Sequence, residues 1–255
     1  MIPRRTLVKT LAGLPLAAVL ADPLRAHAAA AATRLTNIVA ADGRELAGAL
    51  AIPERLPAPA VLLVHEWWGL NDEMKSMAVR LSENGYLALA VDLFNGRVAT
   101  TADDARALVQ GVDEAEALTT LTSWLLWLKN HPDGTRQVAT VGWCFGGGWA
   151  LRAAVAEAVD ATVVYYGRVD LGADRLRRLK GPVLGHFARR DRFIDERMVD
   201  AFRKAMADAN RPYEVYWYDA DHAFANPTGG NYDKEDARLA WRRTLDFLEK
   251  TLARA

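Results

Sequence analysis

Cys144 is the only cysteine among 255 residues, and it stands at the centre of Gly142-Trp143-Cys144-Phe145-Gly146-Gly147. A thiolate is a strong nucleophile, and glycines on either side of it suit a sharp turn in which neighbouring backbone must approach closely. The apolar residues 137–141 read as a buried strand and residues 148–154 as a helix. Strand, tight turn and helix together predict a nucleophile elbow, with the backbone N–H of Phe145 at the helix start, where it can face a developing oxyanion. The same residues also suit a buried structural cysteine beside a glycine-rich turn. A phosphate-binding loop fits less well, because the Lys-Ser/Thr pair that would follow it is missing.

A cysteine nucleophile needs a base, and the base needs a group to orient it. In elbow folds the chain order is nucleophile, acid, histidine. Asp191 follows the apolar stretch 182–187, where a side chain could reach back over the sheet edge; a helix cap or a surface charge is the competing role. His222, in Asp219-Ala220-Asp221-His222-Ala223-Phe224, comes directly after the stretch 213–218 and takes the place of the base. His186 is the fallback for that role, with a structural hydrogen bond as its alternative. Glu66, in His65-Glu66-Trp67-Trp68-Gly69, follows the apolar run 60–64 and offers a second acceptor for a thiol proton, or is a carboxylate satisfied by loop N–H groups. The backbone N–H of Trp67 stands where this architecture places its second oxyanion donor.

These residues need a frame in which strand ends converge. Residues 35–40 and 45–52, joined through Asp42-Gly43, predict a hairpin, and residues 29–33 read as a disordered tail. Beyond the proline-rich connector 53–59, strands at 60–64, 86–91, 137–141, 161–166, 182–187 and 213–218 alternate with helices at 72–83, 101–110, 112–129, 195–209 and 233–252. The pattern is α/β: a mainly parallel central sheet with helices on both faces and ligands at the carboxyl ends of its strands. At 51% hydrophobic and 25% charged, the chain has enough apolar surface for one substantial core. Its net charge of zero argues against nucleic acid as a partner. No apolar run in its body is long enough to span a bilayer.

The amino terminus differs in kind. Pro3-Arg4-Arg5-Thr6-Leu7-Val8-Lys9, the apolar residues 11–21 and Ala26-His27-Ala28 together read as a twin-arginine signal peptide over residues 1–28, cleaved after about Ala28. The expectation is an exported, periplasmic protein whose single domain covers residues 29–255. In an oxidising compartment a lone thiol is better explained by chemistry than by a disulfide.

Taken together, the Cys144 segment, Val64-His65-Glu66-Trp67-Trp68-Gly69, Asp92-Leu93-Phe94-Asn95-Gly96-Arg97, Asp191 and Asp221-His222-Ala223-Phe224 resemble the dienelactone hydrolase family over nearly the whole chain after the leader. The resemblance implies an α/β-hydrolase fold and a triad of Cys144, Asp191 and His222, with Glu66 taking the thiol proton when substrate enters. It places Tyr165 and Arg97 in the substrate site, Arg97 holding a substrate carboxylate, and implies neither metal nor organic cofactor. One departure stands out: enzymes that cleave dienelactone carry a second arginine four residues after the histidine, where this chain has Asn226. A neutral amide there replaces half of a charge clamp. Trp67, Trp68, Phe94, Trp143, Phe145 and Tyr165 cluster around the same loops and suggest a flat apolar acyl pocket.

The function expected is cysteine-dependent hydrolysis of lactones or activated carboxylic esters through a thioester. The small-molecule substrate is the only partner expected, with a monomer as the default state. A non-catalytic small-molecule binding protein on the same fold is the alternative.

Overall fold

From residue 58 onward strands alternate with helices in the computed structural model, which describes residues 23–252. The predicted leader up to residue 22 lies outside the described residues. Two compact units, Met1–Arg136 and Gln137–Ala255, divide the chain.

The first unit holds α1 (Pro23–Ala30), β1 (Arg34–Val39), β2 (Glu45–Ala51), β3 (Ala58–Val64), α2 (Asp72–Glu83), β4 (Leu87–Val91), α3 (Ala102–Gln110) and α4 (Glu114–Lys129). Its strands lie in the order β1-β2-β4-β3. The β1–β2 hairpin and the β2–β4 pair are antiparallel, and β3–β4 is parallel. β3 and β4 are continuous apolar runs because both of their faces are covered. Asn71 caps α2 by accepting the N–H of Met74 at 3.0 Å, satisfying a donor that the first turn leaves without a helical partner. The helix expected over 112–129 starts two residues later, at Glu114, because Asp113 accepts the N–H of Glu116 and so ends the turn through Gly111.

Residues 29–33 are not the disordered tail that their small side chains suggested. Ala29 and Ala30 complete α1, and with Ala26 they are buried. The helix is fixed to α2 by Ser76 Oγ, which donates to the Ala26 carbonyl at 2.9 Å, and by His27 Nδ1 against Asp72 Oδ2 at 2.8 Å. Small side chains permit close helix contact as readily as they permit disorder, and here contact prevails.

The second unit holds most of β5 (Gly134–Trp143), then α5 (Phe145–Ala156), β6 (Ala161–Tyr165), α6 (Ala173–Leu176), β7 (Val183–Ala188), α7 (Glu196–Asp208), β8 (Tyr213–Tyr218) and α8 (Lys234–Thr251). The order β5-β6-β7-β8 is parallel throughout. Every residue of β6 and β7 is buried, and each fully buried valine or leucine there contributes about 1.5–3 kcal/mol. The register aligns Trp143, Tyr165, His186 and Tyr216 in one row across the four strands. The loops just beyond that row open at a common level, and they carry Cys144, Asp191 and His222.

Candidate active site

Cys144 occupies the left-handed region at φ 52°, ψ −117°, between the end of β5 and the start of α5. A side chain at positive φ costs energy and persists only where its surroundings hold it. Two backbone bonds do so: the Cys144 N–H donates to the Tyr165 carbonyl at 3.0 Å, and the Cys144 carbonyl accepts the Gly147 N–H at 3.1 Å. Two glycines of the motif are steric requirements. A Cβ on Gly142 would lie 2.0 Å from the Gly146 carbonyl oxygen, and one on Gly147 would lie 2.9 Å from the Cα of Gly167.

His222 meets the thiol. Its Nε2 lies 3.1 Å from Cys144 Sγ, and its Nδ1 lies 2.7 Å from Asp191 Oδ2. An ionised carboxylate accepts only, so Nδ1 carries the proton and Nε2 is left to accept from the thiol. The Asp191 side chain is wholly enclosed, and its other oxygen accepts the N–H groups of Phe193 at 2.8 Å and Ile194 at 3.0 Å. The loop that presents the imidazole is itself held, since Asn231 Nδ2 donates to the His222 carbonyl at 3.0 Å.

Two aromatic rings flank the imidazole edge-on, Tyr166 and Phe193, each with its centroid 5.2 Å away. The sequence reading missed both. Phe193 is 72% exposed, and its only signal in the chain is a large apolar residue between Arg192 and Ile194, just after the acid. Phe145, whose N–H begins α5, packs edge-on against Trp149.

His186 does not reach the thiol's base position. It is fully buried, with Nδ1 2.8 Å from the Tyr218 hydroxyl and Nε2 3.0 Å from Thr244 Oγ1. Burial, and after it the charge of Arg243, pushes its pKa down to about 3. It is a neutral structural link, the alternative that its strand position allowed. Tyr165, expected in the substrate site, also turns inward. Its hydroxyl is 2.6 Å from Thr244 Oγ1 and its ring stacks on Trp143. Burial raises its pKa, so the phenol stays protonated. Its contribution to the elbow is the carbonyl that holds Cys144. Asn226 is likewise buried, and its side-chain oxygen accepts the N–H of Thr228 at 2.8 Å and that residue's hydroxyl at 2.7 Å. The carboxamide oxygen is committed to its own turn.

In the first unit, the loops after β3 and β4 are tied to one another. The His65 Nδ1–H donates to the Glu66 carbonyl at 2.6 Å, and His65 Nε2 accepts the Leu93 N–H at 3.1 Å. Burial holds the pKa of His65 below its ordinary value and keeps the ring neutral. Glu66 is buried, Trp67 and Trp68 are half-buried with ring centroids 4.9 Å apart, and the Trp68 carbonyl accepts the Ala99 N–H. Arg97 is exposed, and its Nε donates to the Phe94 carbonyl at 3.3 Å.

A thiol, an imidazole and a buried carboxylate in series form an arrangement suited to nucleophilic attack on a carbonyl. The chain is similar to known hydrolases over most of its length. The carboxymethylenebutenolidases of Pseudomonas putida and Pseudomonas knackmussii are each 29% identical to this chain over 223 residues, covering 83% of it and 94% of their own length. The solved structure of m3DLH superposes with a TM-score of 0.77 at 26% identity, covering 86% of this chain and 99% of that one. The fold is therefore that of an α/β-hydrolase. The model of the dienelactone hydrolase family matches residues 46–252, so this hydrolase belongs to the dienelactone hydrolase family.

Proposed function

We propose that the chain hydrolyses lactones and activated carboxylic esters by attack of Cys144, with passage through a thioester. The observation that carries this reading is the unbroken series from Cys144 Sγ through His222 to the enclosed Asp191 carboxylate. A free thiol has a pKa of about 8.5, so only a few per cent is thiolate near neutrality and the nucleophile needs a proton acceptor. His222 Nε2 is in place to accept that proton. Glu66 is assigned as a second acceptor from its position in the family pattern.

Attack forms a bond from sulfur to the carbonyl carbon and moves the carbonyl pair onto oxygen, where the N–H groups of Phe145 and Trp67 are assigned to receive it. Collapse breaks the carbon–oxygen bond of the ester, and the imidazolium protonates the departing alkoxide. Water then adds to the thioester as His222 takes one of its protons, the carbon–sulfur bond breaks to release the acid, and the departing thiolate takes the proton back from the imidazolium, restoring the starting state. Amides are excluded as good substrates because the tetrahedral intermediate expels thiolate before amine. With Asn226 folded onto Thr228, Arg97 is the cation assigned to a substrate carboxylate, and neutral lactones are the preferred class. Export to the periplasm by a twin-arginine leader belongs to the same proposal and rests on residues 4–28.

The test is hydrolysis of p-nitrophenyl acetate, a neutral enol lactone and a carboxylated dienelactone by the wild type and Cys144→Ser side by side. Turnover that depends on the cysteine, with the neutral lactone ahead of the carboxylated one, is the expected result. Full turnover by Cys144→Ser would sink the thioester route.

A further inference from the structure

We infer that Arg190 is a positioning residue for the acid–base pair, stapling the loop that carries Asp191 to the loop that carries His222 and balancing the negative charge beside the imidazole. This inference rests on the reading of Cys144 and His222 given above.

The geometry is a double cross-link. Asp191 and His222 meet through their side chains. The residue before each of them forms the neighbouring link, since Arg190 Nε donates to Asp221 Oδ2 at 3.2 Å. Arg190 also reaches Asp219 Oδ1 with Nη1, and its backbone N–H donates to the Ala220 carbonyl at 3.0 Å. One guanidinium thereby spans both carboxylates of the loop that holds the base, a use for which its planar fork is suited.

The pair is half exposed, so its contribution to folding stability is small. Its effect is felt in the chemistry, because the loop must hold an imidazole within hydrogen-bond reach of a thiol. Charge adds a second consequence. Besides Cys144, Asp191 and the Tyr166 phenol, the groups around His222 include Asp219 and Asp221 on its own loop. Asp233, Glu235 and Asp236 at the start of α8 share their field: the Asp236 carboxyl is held above its usual range by burial and then by Asp233, Asp219 and Glu235, with Arg190 acting in the opposite direction. Removing the guanidinium leaves the charge of Asp219 and Asp221 unbalanced on the loop beside Cys144, and unbalanced negative charge opposes formation of a second anion, the thiolate.

The single cysteine supplies a readout that needs no substrate. The rate of alkylation of Cys144 by iodoacetamide, followed against pH, reports thiolate formation beside His222. Arg190→Gln should move the rising limb to higher pH, Asp221→Asn should move it to lower pH, and Arg190→Lys should restore most of the wild-type profile. Thermal melts recorded in parallel separate these shifts from misfolding, which does not move the limb in opposite directions for the two variants. With p-nitrophenyl acetate, Arg190→Gln should lower kcat by about fivefold, the scale of one exposed ion pair. Roughly 0.5 M NaCl should bring the wild type toward the variant by screening the pair. Alkylation limbs that coincide for all four proteins, with salt-independent kcat, would overturn the inference while leaving the role of Cys144 to its own substitution.

Discussion

Asp191 divides its carboxylate between two duties: Oδ2 holds the imidazole of His222 at 2.7 Å, while Oδ1 is anchored by the N–H groups of Phe193 and Ile194. The anchor fixes the carboxylate plane, and the carboxylate plane fixes the ring. Asp191→Asn keeps the shape but lets the amide donate to Nδ1, which drives the proton to Nε2 and deprives the thiol of its acceptor. Ester hydrolysis should fall by about 10²–10³-fold with little change in KM, measured by steady-state kinetics.

Gly142 tolerates no side chain. A methyl group there would sit 2.0 Å from the Gly146 carbonyl oxygen, and the atoms it meets are backbone, which cannot swing aside. Gly142→Ala should therefore yield little folded protein, whereas Gly172→Ala, where no atom lies within 4 Å of the new group, should express and melt like the wild type.

His186 makes stability depend on acid. Its pKa is near 3 in the folded protein against about 6.5 unfolded. The native state resists the proton while the unfolded chain accepts it, so stability is complete above about pH 6.5 and declines as pH falls toward 3, at up to about 1.4 kcal/mol per pH unit. Urea midpoints between pH 7 and pH 4 should show this slope, and His186→Gln should flatten it while lowering stability at neutral pH.

The first helix is the fourth test. A chain that begins at residue 29 loses the Ala26 carbonyl that Ser76 uses and the His27 partner of Asp72. It should be less stable than a chain beginning at residue 23 by roughly 1–2 kcal/mol, the value of one buried hydrogen bond and a little apolar contact. Equal melting temperatures would show that α1 is dispensable and that cleavage near Ala28 is harmless.

Much of the frame was legible because each signal had a local cause. Asn71, Asp195 and Asp233 cap the helices that follow them, and the continuous apolar runs of β3, β4, β6 and β7 reflect burial on both faces. The order of Cys144, Asp191 and His222 was readable because an elbow fold constrains the order of its parts. Side-chain direction was not. Tyr165 ends its strand, where successive residues point to opposite faces, and the carbonyl rather than the ring serves the elbow. Asn226 occupies a position where a functional side chain was expected, but its short amide finds a closer partner in Thr228. Phe193 and Arg190 carried no periodic signal, since each acts through a neighbour in space that lies some thirty residues away in sequence.

The row of Trp143, Tyr165, His186 and Tyr216 begins one residue before Cys144, and it is closed from the far end of the chain: Thr244 in α8 binds both the Tyr165 hydroxyl and His186. Thr244 thereby ties the last helix to the strand whose Tyr165 carbonyl holds Cys144, so a turn near the middle of the chain is completed by a residue one hundred positions further on.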